Sequence, residues 1–154
     1  MSPADAAWRA LARVEDPEIP AISIVDLGII RFVTPRADGK LEVGLSPTYT
    51  GCPATDVIRQ SVEQALREAD VGEFVVTGVL SPPWSSDWIS EEGRRKLAAY
   101  GIVPPDKSAL RRPIACPHCH SLDTETVSEF GSTPCKALHR CRACLEPFEY
   151  FKCI

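Results

Sequence analysis

The sequence is poor in several things that would each point to a function. Histidine occurs three times, at His118, His120 and His139, all in the last quarter of the chain. A cysteine or serine hydrolase would have to draw its base from there. No G-x-G-x-x-G or Walker-type glycine loop is present, and no H-E-x-x-H, so nucleotide binding and zinc-protease chemistry have no local support. No run approaches the roughly 20 apolar residues of a membrane span. The first residues, "MSPADAAWRALARVEDPE", carry no continuous apolar stretch of the secretory type. Positive charge is also short. With 17 basic against 21 acidic residues the net charge is -4, which argues against nonspecific nucleic-acid binding. Together these absences predict a soluble, cytoplasmic, non-catalytic protein with no nucleic acid and no membrane as partner.

Cysteine, by contrast, is plentiful and uneven. There are seven, and five fall between Cys116 and Cys144. Two C-x-x-C pairs stand out: "CPHC" at 116–119 and "CRAC" at 141–144. In a reducing compartment such pairs point to a metal rather than to disulfides. Each tight turn aims two sulfurs at one ion, and two turns supply the four ligands of a tetrahedral site. Cys116, Cys119, Cys141 and Cys144 are therefore the expected ligands. Zinc is the preferred ion, with iron or an iron–sulfur cluster the alternative for an all-sulfur site. Cys135, His139 and Cys153 are substitute ligands. His118 lies within the first knuckle as a turn residue, and His120 follows it as a surface residue or a group supporting the ligands. "DTETVSEFG" and "EPFEYFKC" read as strands of a zinc ribbon. So short a segment has little core, and bound metal would contribute to its folding.

The rest of the chain reads as an α+β domain. Ser2 and Pro3 form a helix start, with Ala7, Leu11 and Val14 on one face. "VEDPEIPAISIVDLGII" reads as a long connection. "IIRFVT" and "LEVGLS" are strands joined by a turn at Asp38–Gly39, with Leu41, Val43 and Leu45 on one face. A helix over "ATDVIRQSVEQALREAD", a strand in "GEFVVTGVLS" and a third helix capped by Ser90 and ended at Gly101 complete it. The small mixed sheet thus has two or three packed helices. "IVPPDKSALRRP" is proline-rich and charged, and reads as a linker. The expected division is a domain over 1–105, a linker over 106–113 and a zinc-ribbon-like module over 114–154. "PPWSSDW" reads either as a partner-binding loop or as a loop packed on its own domain.

One further cysteine stands apart. Cys52 precedes Pro53 at the start of the second helix. If exposed there, its thiolate is stabilised by free amides and the helix dipole. If buried, it is a small apolar core residue. Asp16, Glu18 and Asp26 lie outside regular elements. Asp16 reads as a helix cap or stop and Asp26 as half of a turn pair. A Cys52 thiolate met by Glu18 would make a weak, reversible metal site. Thr48 and Thr50 offer hydroxyls to the sulfur.

"EDPEIP", "IVDLGII" and "SPTYTGCPA" resemble the signature segments of the iron–sulfur assembly family that includes SufT. The tail, from "CPHCHSL" through "STPCKAL" to "CRACLEPFEYFKC", resembles the C-terminus of the PaaD (PaaJ) family of phenylacetate degradation. The resemblance implies a maturation factor for the multicomponent phenylacetyl-CoA epoxidase, with its iron–sulfur reductase subunit as client. It implies a transient iron or cluster site around Cys52, Glu18, Asp16 and Thr48, and a structural zinc in the ribbon. The alternative is an adaptor subunit without cluster transfer. A small homo-oligomer through a sheet edge is a further expectation. His120 departs from the glycine expected after the first knuckle.

Overall fold

The computed structural model describes residues 1–48, 54–105, 114–133 and 135–151. It divides into two compact units, Met1–Trp84 and Ser85–Ile154. The expected linker, 106–113, lies outside the described residues.

In the first unit, helix α1 (Pro3–Leu11) starts as its sequence signals. The Asp5 amide donates to the Ser2 hydroxyl and the Ser2 amide donates to the Asp5 carboxylate, both at 3.1 Å. This reciprocal cap satisfies amides that a helix start leaves free. Strands β1 (Ile30–Pro35) and β2 (Leu41–Leu45) pair antiparallel across the turn, where Gly39 takes φ +85°. Helix α2 (Thr55–Glu68) buries Ile58, Val62 and Leu66, and strand β3 (Phe74–Gly78) returns parallel to β2. The sheet order is β1-β2-β3. Leu41, Val43 and Leu45 are all buried. On the adjacent position of β2, Gly44 is paired with Phe32, whose ring would lie 2.5 Å from any added Cβ.

The stretch expected to be a plain connection is instead a large part of the core. Ile19, Ile22, Ile24, Leu27 and Ile29 are each at most 1% exposed. Burial is tolerated because the backbone closes on itself. Asp16 N–H donates to Ile22 O, Ile24 N–H to Val14 O, Leu27 N–H to Ser23 O and Ile29 N–H to Ile24 O, all within 3.0 Å. Gly28, at φ +75°, makes the last turn before β1. Trp84 is buried and its indole N–H donates to the Leu27 carbonyl at 2.8 Å. Of the two readings of "PPWSSDW", Trp84 follows the packed one.

The second unit opens with a 3-10 turn, Ser86–Trp88, and helix α3 (Glu91–Ala99). Ser90 caps α3 by accepting from the Gly93 amide at 3.0 Å, and Gly101 ends it at φ +91°. Strand β4 (Ile102–Val103) follows, then β5 (Thr124–Ser128), β6 (Lys136–Cys141) and β7 (Pro147–Phe151). Their order is β4-β7-β6-β5. β5 and β7 are the two expected ribbon strands; the central β6 was not anticipated. Ile102–Val103, at the start of the proline-rich "IVPPDKSALRRP" stretch, pairs in parallel with Glu149–Tyr150 and so belongs to the ribbon sheet. No helix among the described residues is long and apolar enough to cross a membrane.

Candidate functional site

Two C-x-x-C turns bring four sulfurs together in the second unit. The Sγ atoms of Cys116, Cys119, Cys141 and Cys144 all lie within 4.8 Å of one another. Cys116 and Cys144 are 3.6 Å apart, and Cys119 and Cys141 are 3.5 Å apart. A tetrahedron of sulfurs around zinc has edges of about 3.8 Å, from a Zn–S distance of about 2.3 Å. The four residues therefore fit such an ion without rearrangement of the turns. In each knuckle a backbone amide points at the first sulfur: His118 N–H at Cys116 and Cys144 N–H at Cys141, both at 3.4 Å. One residue after each second cysteine the chain turns through positive φ, +64° at His120 and +67° at Leu145. Glycine, which the family resemblance leads one to expect at 120, adopts that conformation most readily.

The electrostatics differ among the four sulfurs and favour the thiolate at Cys141. The amides of Cys144 and Ala143 bring the Cys141 thiol down to about 6. At Cys144 the Glu146 amide lowers the value, but burial and the neighbouring thiols outweigh it and push the group up to about 12. A metal held by Cys116, Cys119, Cys141 and Cys144 would displace their protons and tie the two turns together. Cys116 and Cys141 are buried with Phe148, and Val103, Ile114 and Cys144 pack against them. That small cluster is the apolar support of the site.

Two of the substitute ligands, Cys135 and His139, lie outside this group. Cys135 is buried beside the Thr133 hydroxyl, at 3.0 Å. His139 is buried on β6, stacked on Phe148 at 5.6 Å and edge-on to Tyr150 at 5.5 Å, with burial lowering its pKa. Cys153 lies outside the described residues.

In the first unit the segments singled out by sequence converge through backbone bonds. Glu15 and Ser23 form a bridge. The Ser23 hydroxyl accepts from the Asp26 amide at 3.0 Å, and the Ser23 carbonyl accepts from Leu27. Ser46, at the exit of β2, donates its amide to Ile29 O at 2.8 Å. Asp16, Asp26 and the start of the "SPTYTGCPA" segment are therefore linked through residues 22–29. Asp16 is buried, and its Oδ1 accepts from the amides of Glu18 and Ile19, each at 2.8 Å. This carboxylate organises the loop and presents Glu18, which is half-buried, as are Asp26 and Thr48. Thr50 and Cys52 lie outside the described residues.

Sequence reasoning passed over Arg31 and Ser46. Ser46 is fully buried; its hydroxyl donates to Val79 O at 2.6 Å and accepts from Arg31 Nη1 at 3.3 Å. Arg31 Nη1 also donates to Pro82 O at 3.1 Å. The one available signal was a serine directly after an apolar strand, too common to single out.

Comparison with known proteins agrees with both units. A family model described as iron–sulfur cluster assembly protein matches residues 4–80, and one described as PaaD zinc beta ribbon domain matches residues 103–152. An Escherichia coli (strain K12) protein named as a putative 1,2-phenylacetyl-CoA epoxidase subunit is 43% identical over 151 residues, 96% of this chain and 91% of its own length. The Fe-S protein maturation auxiliary factor SufT of Staphylococcus aureus is 36% identical over 85 residues, 54% of this chain and 96% of its own. A solved domain of unknown function from Bacillus anthracis superposes with a TM-score of 0.56 at 29% identity, over 62% of this chain and 91% of that one.

Proposed function

This chain belongs to the iron–sulfur cluster assembly protein family and carries a PaaD zinc beta ribbon domain, and from that premise we propose that it is a maturation factor for a phenylacetyl-CoA epoxidase. It binds iron or an iron–sulfur cluster transiently and passes it to the oxygenase complex, with the iron–sulfur reductase subunit as client. It acts in the reducing cytoplasm and is itself non-catalytic. The observation that carries this reading is the union, in one chain, of an assembly domain with a ribbon shared almost end to end with the E. coli relative.

The division of labour follows from donor chemistry. Cys52 supplies a soft thiolate, Glu18 a hard carboxylate, Asp16 holds the Glu18 loop, and Thr48 offers a hydroxyl. So few donors hold a metal weakly, which suits transfer. Cys116, Cys119, Cys141 and Cys144 hold a resident zinc, which ties the two knuckles together. We assign the transfer role to residues 1–105, the zinc module to 114–154 and the joint to 106–113.

A second reading, an adaptor without transfer, draws on the E. coli relative's being named as part of the epoxidase and on exposed apolar side chains of the second unit. Leu122, Val127, Phe130 and Leu145 are 57–66% exposed. Maturing the epoxidase in cells that carry either the wild type or Cys52→Ser separates the two. The transfer reading expects the client to lose its iron–sulfur centre with the variant. Full maturation by Cys52→Ser, with stable co-purification at fixed stoichiometry, would establish the adaptor instead.

A further inference from the structure

We propose that the open edge of β3 docks an extended, acidic segment of a partner protein, which adds to the sheet as a further strand and pairs its carboxylate with Arg59. The inference stands on the first unit alone and is independent of the metal chemistry proposed above.

The register of the sheet decides which backbone groups of β3 face outward. At one end the Leu41 amide donates to Glu73 O at 2.9 Å, and at the other the Val79 amide donates to Leu45 O at 2.8 Å. Between them Leu41, Val43 and Leu45 stand opposite Phe74, Val76 and Gly78. In a parallel ladder alternate residues of a strand turn both backbone groups to the same neighbour. Glu73, Val75, Thr77 and Val79 therefore turn theirs to β2, and Phe74, Val76 and Gly78 turn theirs away from it. The sheet ends at β3. Among the described residues no backbone group bonds to Phe74, Val76 or Gly78 on that side. Such a row of amides and carbonyls is a template for another strand. Phe74 and Val76 are half-buried and Gly78 is exposed.

One cationic side chain lies on this edge. Arg59 of α2 donates from Nη1 to Val76 O at 2.9 Å, and its Nη2 is 3.9 Å from the Cβ position of Gly78. Among the described residues Arg59 forms no salt bridge with a carboxylate, so its charge meets only a neutral carbonyl. A cation on an edge strand disfavours pairing, and here it selects the occupant. β3 itself, FVVTG, holds no acid. A second copy pairing antiparallel about Val76 would bring two Arg59 side chains together with nothing to neutralise either. A segment with an acidic residue opposite Val76 does the reverse. Residues paired across strands share a face. Val76 shares its face with Phe74, and Arg67 of α2 lies over the Phe74 ring at 5.9 Å, so this is the face that α2 covers. The incoming carboxylate therefore arrives beside Arg59. The partner's backbone amide takes over the Val76 carbonyl, and the guanidinium exchanges a neutral acceptor for a charged one, which makes the stronger bond. In strand addition of this kind main-chain bonds give affinity and side chains give specificity.

The test is calorimetric titration of the full-length, zinc-loaded protein with the peptide acetyl-Thr-Val-Thr-Glu-Thr-Val-Thr-amide and with its twin carrying glutamine in place of glutamate. Amide hydrogen exchange by NMR then locates the bound peptide. The glutamate peptide is expected to bind about tenfold more tightly than the glutamine one, and to protect the amides of Phe74, Val76 and Gly78. Arg59→Ala should erase that preference. Arg59→Gln keeps a donor for the Val76 carbonyl without the charge; it should erase the preference too, and it carries the test if Arg59→Ala fails to fold. Equal affinity of the two peptides for the wild type overturns the proposal, as does a preference that survives the loss of Arg59. Protection of other amides in place of these three overturns it, and so does no binding of the glutamate peptide at about 1 mM. A concentration-dependent dimer of the peptide-free protein, with the same three amides protected, would put a second copy on the edge and overturn it as well.

Discussion

Replacing Asp16 separates two roles for a carboxylate that both sequence and structure bring forward. Its Oδ1 holds two amides at 2.8 Å, those of Glu18 and Ile19, and Ile19 is 1% exposed. Asp16→Ala leaves both donors without that oxygen. A buried, unsatisfied donor costs about 1–3 kcal/mol. The Ile19 amide would bear most of this, and the half-buried Glu18 amide would regain some water, so a total of about 3 kcal/mol is expected. For a unit of 84 residues, each kcal/mol is worth about 4–8 °C, giving a fall of about 10–25 °C. Asp16→Asn keeps an oxygen at the same place and loses only the charge assistance, about 1 kcal/mol. The assay is thermal and urea unfolding of the full chain, followed by circular dichroism and by tryptophan emission. A loss under about 1 kcal/mol in Asp16→Ala would refute the account of the loop. An Asp16→Asn protein that folds normally but no longer supports maturation would move Asp16 from organiser to ligand.

Three further outcomes follow from the geometry. Gly44→Val places a side chain against the Phe32 ring, whose atoms lie 2.5 Å from the Cβ position; a loss of about 1–3 kcal/mol is expected, with partial recovery when Phe32→Leu is added, measured by urea unfolding. Stripping the metal with a chelator, or Cys141→Ser, should unfold the ribbon while the first unit keeps its own transition, because the site's apolar support is only a few side chains; amide NMR spectra would show which unit changes. Glu149 gives a pH dependence. Burial raises its pKa, but the Ser132 amide and hydroxyl and the Lys136 ammonium outweigh it, so the carboxyl is held below its usual range. Its contribution is then present above the unfolded carboxyl range and lost as pH falls through the lower folded value. Glu149→Gln should flatten that part of the acid-unfolding curve relative to the wild type.

What sequence makes legible here is what short-range chemistry decides. Ser2–Pro3, Asp38–Gly39, Ser90 and the two C-x-x-C pairs each specify a local conformation, and each is found where expected. The missed features depend on partners distant in sequence. Residues 14–29 show no helical or alternating period, yet five of their apolar side chains are core, because irregular backbone paired within itself buries as well as a strand does. "KALHRC" became the central strand only through neighbours on both sides, Thr124–Ser128 and Pro147–Phe151. Two residues, Ile102–Val103, are too few to read as a strand without their partner β7. The four-sulfur site was readable because its ligands come in local pairs. The bonds of Arg31 and Ser46 were not, because each reaches a backbone carbonyl far along the chain.

The proposed function gives this chain two kinds of metal chemistry, a resident ion on four ribbon sulfurs and a transient cargo at Cys52. Metal and acid-labile sulfide analysis of wild-type and Cys52→Ser protein, purified without oxygen, tests it most directly. The account expects about one zinc per chain in both proteins, with iron or sulfide in the wild type alone. Iron retained equally in both would put the cluster on the ribbon and contradict the division between the two sites.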